Sequence, residues 1–167
     1  ITEGLKWIEK AYDYDNKMAP LAAIICYIDE DVKTTFTTKV YNKYKELADN
    51  GDEDAIKLML TAIMEKPSKE NLIESYKYIK LVDVSKYKLT IASWALIILQ
   101  SEDNFDFEED AKNMLIQLAD EDCLYACKEL GFSYANEINR FEKDHKKAAK
   151  YLKIAAQSGD KACDIEL

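Results

Sequence analysis

Catalysis and metal binding have little to draw on in this chain, which has 167 residues and one histidine, His145. That histidine follows Asp144 where a helical pattern begins, and a capping-region role on the surface outweighs general-base chemistry there. No Ser/His/Asp, Cys/His or paired-carboxylate arrangement is legible. The four glycines are isolated, which excludes a glycine-rich phosphate loop, and together with only two prolines they leave scant material for β-turns. An all-α chain is therefore expected. No apolar run approaches membrane-spanning length, the nearest being Ile91 to Leu99, so membrane insertion is not expected. A basic patch is also missing: Lys146, Lys147 and Lys150 lie in a helix of mixed charge, and a net charge of −9 repels phosphate. Nucleic acid is excluded as a partner.

The cysteines Cys26, Cys123, Cys127 and Cys163 follow no regular spacing, and Cys123 and Cys127 stand four apart on one predicted helix, a poor geometry for a disulfide. One histidine does not complete a zinc site with them, so buried free thiols are expected. Irregular cysteines, the lack of an Asn-x-Ser/Thr sequon and the lack of a signal-type segment favour a reducing, cytoplasmic compartment. The acidic stretches Asp29 to Asp31, Asp49 to Asp54 and Glu102 to Asp110 break calcium-loop spacing; eleven residues after Asp49 stands Leu60. They read as solvated loops and helix starts, and neither metal nor cofactor is expected.

What the chain does carry is a repeated pattern. From Ala126 to Tyr134, and again from Lys147 to Ala156, small and apolar residues recur at intervals of three and four, separated by a polar break. This spacing predicts a helical hairpin, with Asp144 as N-cap of its second helix and Gly159 closing it. Stepping back from Ala156 by 37, 36, 35 and 36 residues lands on Ala119, Asp83, Ala48 and Tyr12, each read as closing a helical run. Seven residues after each comes a small residue opening the next helix: Ala19, Ala55, Thr90, Ala126 and Cys163. Eight further stand Tyr27, Ile63, Ile98 and Tyr134. A period near 36 residues with two helices per period predicts an α-solenoid, whose hairpins bury their apolar faces only against neighbours.

The unit from Ala126 to Gly159 resembles a Sel-1-like repeat of the tetratricopeptide superfamily. It matches the pattern A-x3-LG-x2-Y, loop, KA-x2-Y-x2-AA-x2-G at Ala126, Leu130, Gly131, Tyr134, Lys147, Ala148, Tyr151, Ala155, Ala156 and Gly159. The other units lack the first-helix glycine and the usual Gly-x-Gly-Val loop. The resemblance implies a right-handed superhelix of about four helix-turn-helix repeats over residues 1–167. It implies one repeat domain and non-catalytic binding of another protein or peptide, as adaptor or scaffold. Bacterial effectors, host-interaction proteins and toxin-immunity proteins of this repeat class are alternatives, and so is an accessory segment of an enzyme whose catalytic part lies elsewhere.

Along the chain, helices are expected over 1–14, 18–29, 34–50, 53–66, 69–83, 86–101 and 107–120, then in the last hairpin. Pro20 fits a first turn, Gly51 closes the third helix, and Pro67 with Ser68 separates the fourth from the fifth. Leu5, Ile8, Ala11 and Tyr12 share one face of the first helix, and Val40, Tyr44, Leu47 and Ala48 are spaced for packing. Tyr12, Tyr27, Tyr44, Tyr78, Tyr134 and Tyr151 also fall at packing positions. The pattern starts inside a helix and ends in the first positions of another repeat, so the chain is read as a piece of a longer array. Its cut ends would then be open to self-association.

In the superfamily the first helix of each hairpin lines the concave groove. Its usual positions fall on Leu21, Ile25 and Ile28; on Lys57; on Leu89, Leu96 and Leu99; and on Tyr125, Lys128 and Phe132. A groove lined this way suits an amphipathic helix or apolar peptide.

Overall fold

A computed structural model of the chain describes residues 3–29 and 32–157. Among them the chain is all-helical, with no strand. The elements are α1 (Glu3–Asp13), α2 (Ala19–Ile28), α3 (Thr35–Asp49), α4 (Glu53–Glu65), α5 (Lys69–Ile79), α6 (Lys88–Gln100), α7 (Glu108–Asp120), α8 (Leu124–Asn136) and α9 (His145–Gln157). They divide into two compact units, Ile1–Asp83 and Val84–Leu167.

In the first unit, side chains cap the starts of three helices. Thr34 caps α3 through a capping box with Thr37, Asp52 caps α4 by accepting the Ala55 N–H at 2.8 Å, and Ser68 accepts the Asn71 N–H of α5. Pro20 sits in the first turn of α2, where its missing N–H costs nothing. Gly51, at φ +86°, ends α3 with paired bonds from Gly51 N–H to Ala48 O and from Asp52 N–H to Leu47 O. That is the Schellman arrangement. The helix α2 has no charged residue and packs on α1, α3 and α4, burying Ala23 and Ile24. In turn α4 buries Ile56, Met59, Leu60 and Ile63 between α2, α3 and α5.

Two expectations fail in this unit. The helix expected to reach Asp83 stops at Ile79, because the chain turns at Lys80 and Leu81 to bury Val82 while Leu81 stays exposed. Leu47 is exposed as well: Thr37, Val40, Tyr41 and Ala48 form the buried face of α3, so Val40 and Ala48 of the expected stripe pack, Tyr44 is half-buried and Leu47 lies outside the buried face. Of the six repeat tyrosines, Tyr78, Tyr134 and Tyr151 are buried, whereas Tyr12, Tyr27 and Tyr44 are half-buried.

The second unit is built around α6, which packs on α7 and α8, and around the close pair α8 and α9. Trp94 of α6 is 0% exposed and stacks on Phe107 at 5.9 Å. The expected C-terminal hairpin is present, and Asp144 caps α9 by accepting the N–H groups of Lys146 and Lys147, both at 3.0 Å. Gly131 lets its two helices close: a Cβ there would lie 2.6 Å from Leu152 Cγ and 3.2 Å from the Leu152 backbone nitrogen. Cys123 precedes α8 and Cys127 lies within it, and neither they nor Cys26 forms a disulfide. Gly159 and Cys163 lie outside the described residues.

The turn between α8 and α9 contains three non-glycine residues at positive φ, Glu137, Asn139 and Arg140. Such backbone is disfavoured by about 1–2 kcal/mol per residue unless neighbours hold it. Here the arginine holds it: its guanidinium donates to Ser101 O at 2.8 Å, Asp103 O at 2.7 Å and Glu108 Oε2 at 2.8 Å. One planar fork thereby joins the turn after α8 to the C-terminus of α6 and the start of α7.

Gly131→Ala should destabilise the chain by about 1–3 kcal/mol through overpacking, despite alanine's advantage of about 1 kcal/mol in helix propensity. Chemical denaturation of the four members of a cycle with Leu152→Ala checks this. Truncating Leu152 should cost less in the Gly131→Ala background than in the parent. Arg140→Lys should cost about 1–3 kcal/mol in the same assay, because an ammonium does not reproduce the fork.

Candidate protein-binding surface

A polar clamp between the helices that back those carrying the expected groove residues occurs once in each unit. Asp49, the last residue of α3, accepts from Lys77 Nζ at 2.6 Å and Tyr78 OH at 3.2 Å on α5. Asp120, the last residue of α7, accepts from Lys150 Nζ at 2.7 Å and Tyr151 OH at 3.1 Å on α9. Each clamp ties the second helix of one hairpin to the second helix of the next. Hydrogen bonding from Lys77 holds the Asp49 carboxyl below its ordinary 3.8, and hydrogen bonding from Lys150 does the same for Asp120. Burial raises the Tyr78 and Tyr151 phenols, so both stay protonated donors at neutral pH.

In the first unit the clamp is part of a larger cluster. Glu74 pairs with Lys45 and accepts from Tyr41 OH at 3.2 Å, and Tyr41 stacks on Tyr27 with centroids 4.0 Å apart. Burial pushes the Tyr41 phenol up to about 12. The clamps were legible in principle: an aspartate follows the repeat markers Ala48 and Ala119, and Lys-Tyr doublets stand at 77–78 and 150–151.

Each expected groove residue has a definite place on α2, α4, α6 or α8. Leu21, Ile25 and Ile28 lie on the side of α2 opposite its buried residues and are half-buried. Lys57 is exposed on α4, which packs against α2, and no acidic group among the described residues pairs with it. On α8, Tyr125 is 37% exposed, and Lys128 and Phe132 are half-buried along the same stripe. On α6, Leu89 is 61% exposed, but Leu96 and Leu99 are 3% and 2% exposed and stand in the core. A continuous row from Leu89 to Leu99 is therefore not presented. The surface rows are Leu21, Ile25 and Ile28 with Lys57 in the first unit, and Tyr125, Lys128 and Phe132 in the second.

None of these residues forms a nucleophile and base pair. Cys127 Sγ–H donates to Ala119 O at 3.2 Å across α7 and α8, and burial raises its thiol to about 11, which keeps it protonated and unreactive. Among the described residues no three His, Cys, Asp or Glu side chains are grouped to hold a metal ion, and no helix is long and apolar enough to cross a membrane.

The clamp aspartates have depressed folded-state pKa values, so their contribution is present at neutral pH and is lost as pH falls through and below the ordinary 3.8. Asp49→Asn with Asp120→Asn should lower stability at pH 7 by an amount on the order of 0.2–1 kcal/mol per site, as suits exposed pairs. It should also flatten the decline in urea midpoint between pH 5 and about pH 2.

No protein-family model, characterised protein or solved structure matches this chain.

Proposed function

We propose that the chain is a non-catalytic protein- or peptide-binding module, built as an α-solenoid of Sel-1-like hairpins. The observation that carries this reading is the outward side of α2, where Leu21, Ile25 and Ile28 form a half-buried stripe on a helix without one charged residue. A helix whose solvent side is uncharged and apolar is a surface for another apolar surface. The stripe has the spacing that receives one face of an amphipathic helix.

Several features support the repeat reading. Within each unit helices pack on the next in sequence, and first helices also pack on the next first helix, α2 on α4 and α6 on α8. The Asp to Lys-Tyr clamp recurs at equivalent places, Asp49 with α5 and Asp120 with α9. Gly131 permits the α8 to α9 approach at the position where the repeat pattern has its glycine. In this reading the second helices carry the clamps, and the first helices carry the binding rows.

Selection of random twelve-residue peptides on the immobilised chain tests the proposal. Amphipathic sequences should be enriched, and Ile25→Asp should weaken the best of them at least tenfold while circular dichroism and melting temperature stay near the parent's. Leu21→Asp tests the same row where the first variant is unstable. Enriched peptides indifferent to both substitutions, or no enrichment, would overturn it.

A further inference from the structure

The helix α1 repeats the packing face of α5 and α9, but leaves it open. Eight, five, four and one residues before the repeat markers Tyr12, Asp83 and Ala156 stand three equivalent sets: Gly4, Trp7, Ile8 and Ala11; Ser75, Tyr78, Ile79 and Val82; Ala148, Tyr151, Leu152 and Ala155. Each set runs small, aromatic, aliphatic, then small or aliphatic, and in each a lysine precedes the aromatic residue: Lys6, Lys77 and Lys150. The second and third sets are buried throughout, with no member more than 9% exposed. In the first set Gly4 is exposed, Trp7 is 63% exposed, and Ile8 and Ala11 are half-buried. A Cβ at Gly4 would have nothing within 4 Å among the described residues.

The molecule itself shows what closes such a face. The helix α4 packs on α5, and α8 packs on α9. Between α8 and α9, Tyr134 stacks on Tyr151 with centroids 6.3 Å apart, and Gly131 leaves room for Leu152. Lys150 Nζ lies 4.5 Å over the Tyr151 ring without preventing that stack. Trp7 likewise carries an ammonium, Lys10 Nζ at 4.9 Å, but no ring stacks on it among the described residues. A different side of α1 is already used: α1 packs on α2 and buries Leu5, whereas Ala149, at the equivalent place in α9, is exposed. What remains on α1 is a small residue that permits close approach of a second helix axis, next to an aromatic and an aliphatic side chain that supply the area.

We propose that the face formed by Gly4, Trp7, Ile8 and Ala11 docks one helix of a partner polypeptide with the chemistry of α8: a glycine or other small residue set against Ile8 and, three residues later, an aromatic ring set against Trp7. A second copy of this chain is not the donor, because its α4 and α8 are already closed against α5 and α9. The site is separate from the row Leu21, Ile25 and Ile28 and goes beyond the binding reading above. An accessible tryptophan among small and aliphatic residues is the kind of anchor on which binding energy concentrates.

The probe is a synthetic α8, Leu124–Asn136, with a hydrocarbon staple in place of Lys128 and Phe132 on its outer side, because a free helix of that length is marginal in water. Trp7 is the reporter, since Trp94 is already sealed. Titrating the peptide into the full chain should move the emission to shorter wavelength and reduce its quenching by acrylamide. Gly4→Glu and, separately, Trp7→Glu should each weaken binding about tenfold, read by anisotropy of labelled peptide, with melting temperature near the parent's because both positions are exposed. A peptide carrying Gly131→Leu should lose a similar factor, and Ile25→Asp in the chain should change nothing. Binding that leaves the Trp7 emission unmoved, or that survives both α1 variants, would rule out this face. Equal binding of the Gly131→Leu peptide would rule out the α8-like fit, and loss of binding in Ile25→Asp alone would place the peptide on the α2 row instead. No binding at millimolar peptide would overturn the proposal and leave the α2 row to its own test. A concentration-dependent shift of the chain's own emission, lost in Gly4→Glu, would make the occupant a second copy and refute the partner assignment.

Discussion

A helix without a polar face has to be covered on every side or else meet something other than water, and two helices of this chain are under that constraint. The helix α6 resolves it by enclosure, with Ile91, Trp94, Ala95 and Ile98 entirely buried. The helix α2 resolves it only in part, since its inner side is buried and its outer side remains half-exposed and apolar. Neither helix can be stable alone, because burial of apolar area is the main favourable contribution available to short helices in water. The remaining helices of each unit therefore act as cover. Their own requirement for solubility explains why they carry charge, and aspartate, lysine and tyrosine clamps form between α3 and α5 and between α7 and α9.

These polar clamps do a different task from the apolar contacts. Apolar burial is non-directional and tolerates sliding of one helix along another, whereas a carboxylate receiving an ammonium and a phenol has a defined position. Exposed ion pairs contribute little free energy, so the clamps set the register of second helices more than they hold them together. The Arg140 fork does the same for loops, with the added feature that it stabilises a backbone turn that the residues in it would not adopt unaided.

Helix boundaries were the most legible part of the sequence because they depend on local chemistry. Thr34, Ser68, Asp144, Pro20 and Gly51 act where their side chains or φ preferences place them, within three residues of their own position. The end of α5 was not legible, because whether Leu81 or Val82 turns inward depends on cover from residues distant in sequence. The same limit applies to the expected groove. The resemblance assigns Leu96 and Leu99 to the row that begins with Leu89, but a repeat pattern does not say which part of a row is covered, and only Leu89 is exposed. The arrangement around Arg140 escaped sequence reasoning altogether, since its partners are backbone carbonyls and a glutamate more than thirty residues away.

The two tryptophans are distributed one to each unit, and their surroundings are opposite. Trp94 is sealed in the second unit against Phe107, while Trp7 in the first is 63% exposed with Lys10 above its ring. Intrinsic fluorescence is therefore a lopsided reporter of this molecule. Emission from Trp94 is shifted to short wavelength and shielded from dissolved quenchers until the second unit opens, whereas Trp7 already emits like indole in water. A loss of order confined to the first unit would pass almost unseen in the emission spectrum, and the stacked Tyr27 and Tyr41 pair, read through near-ultraviolet dichroism, is the native chromophore that reports it.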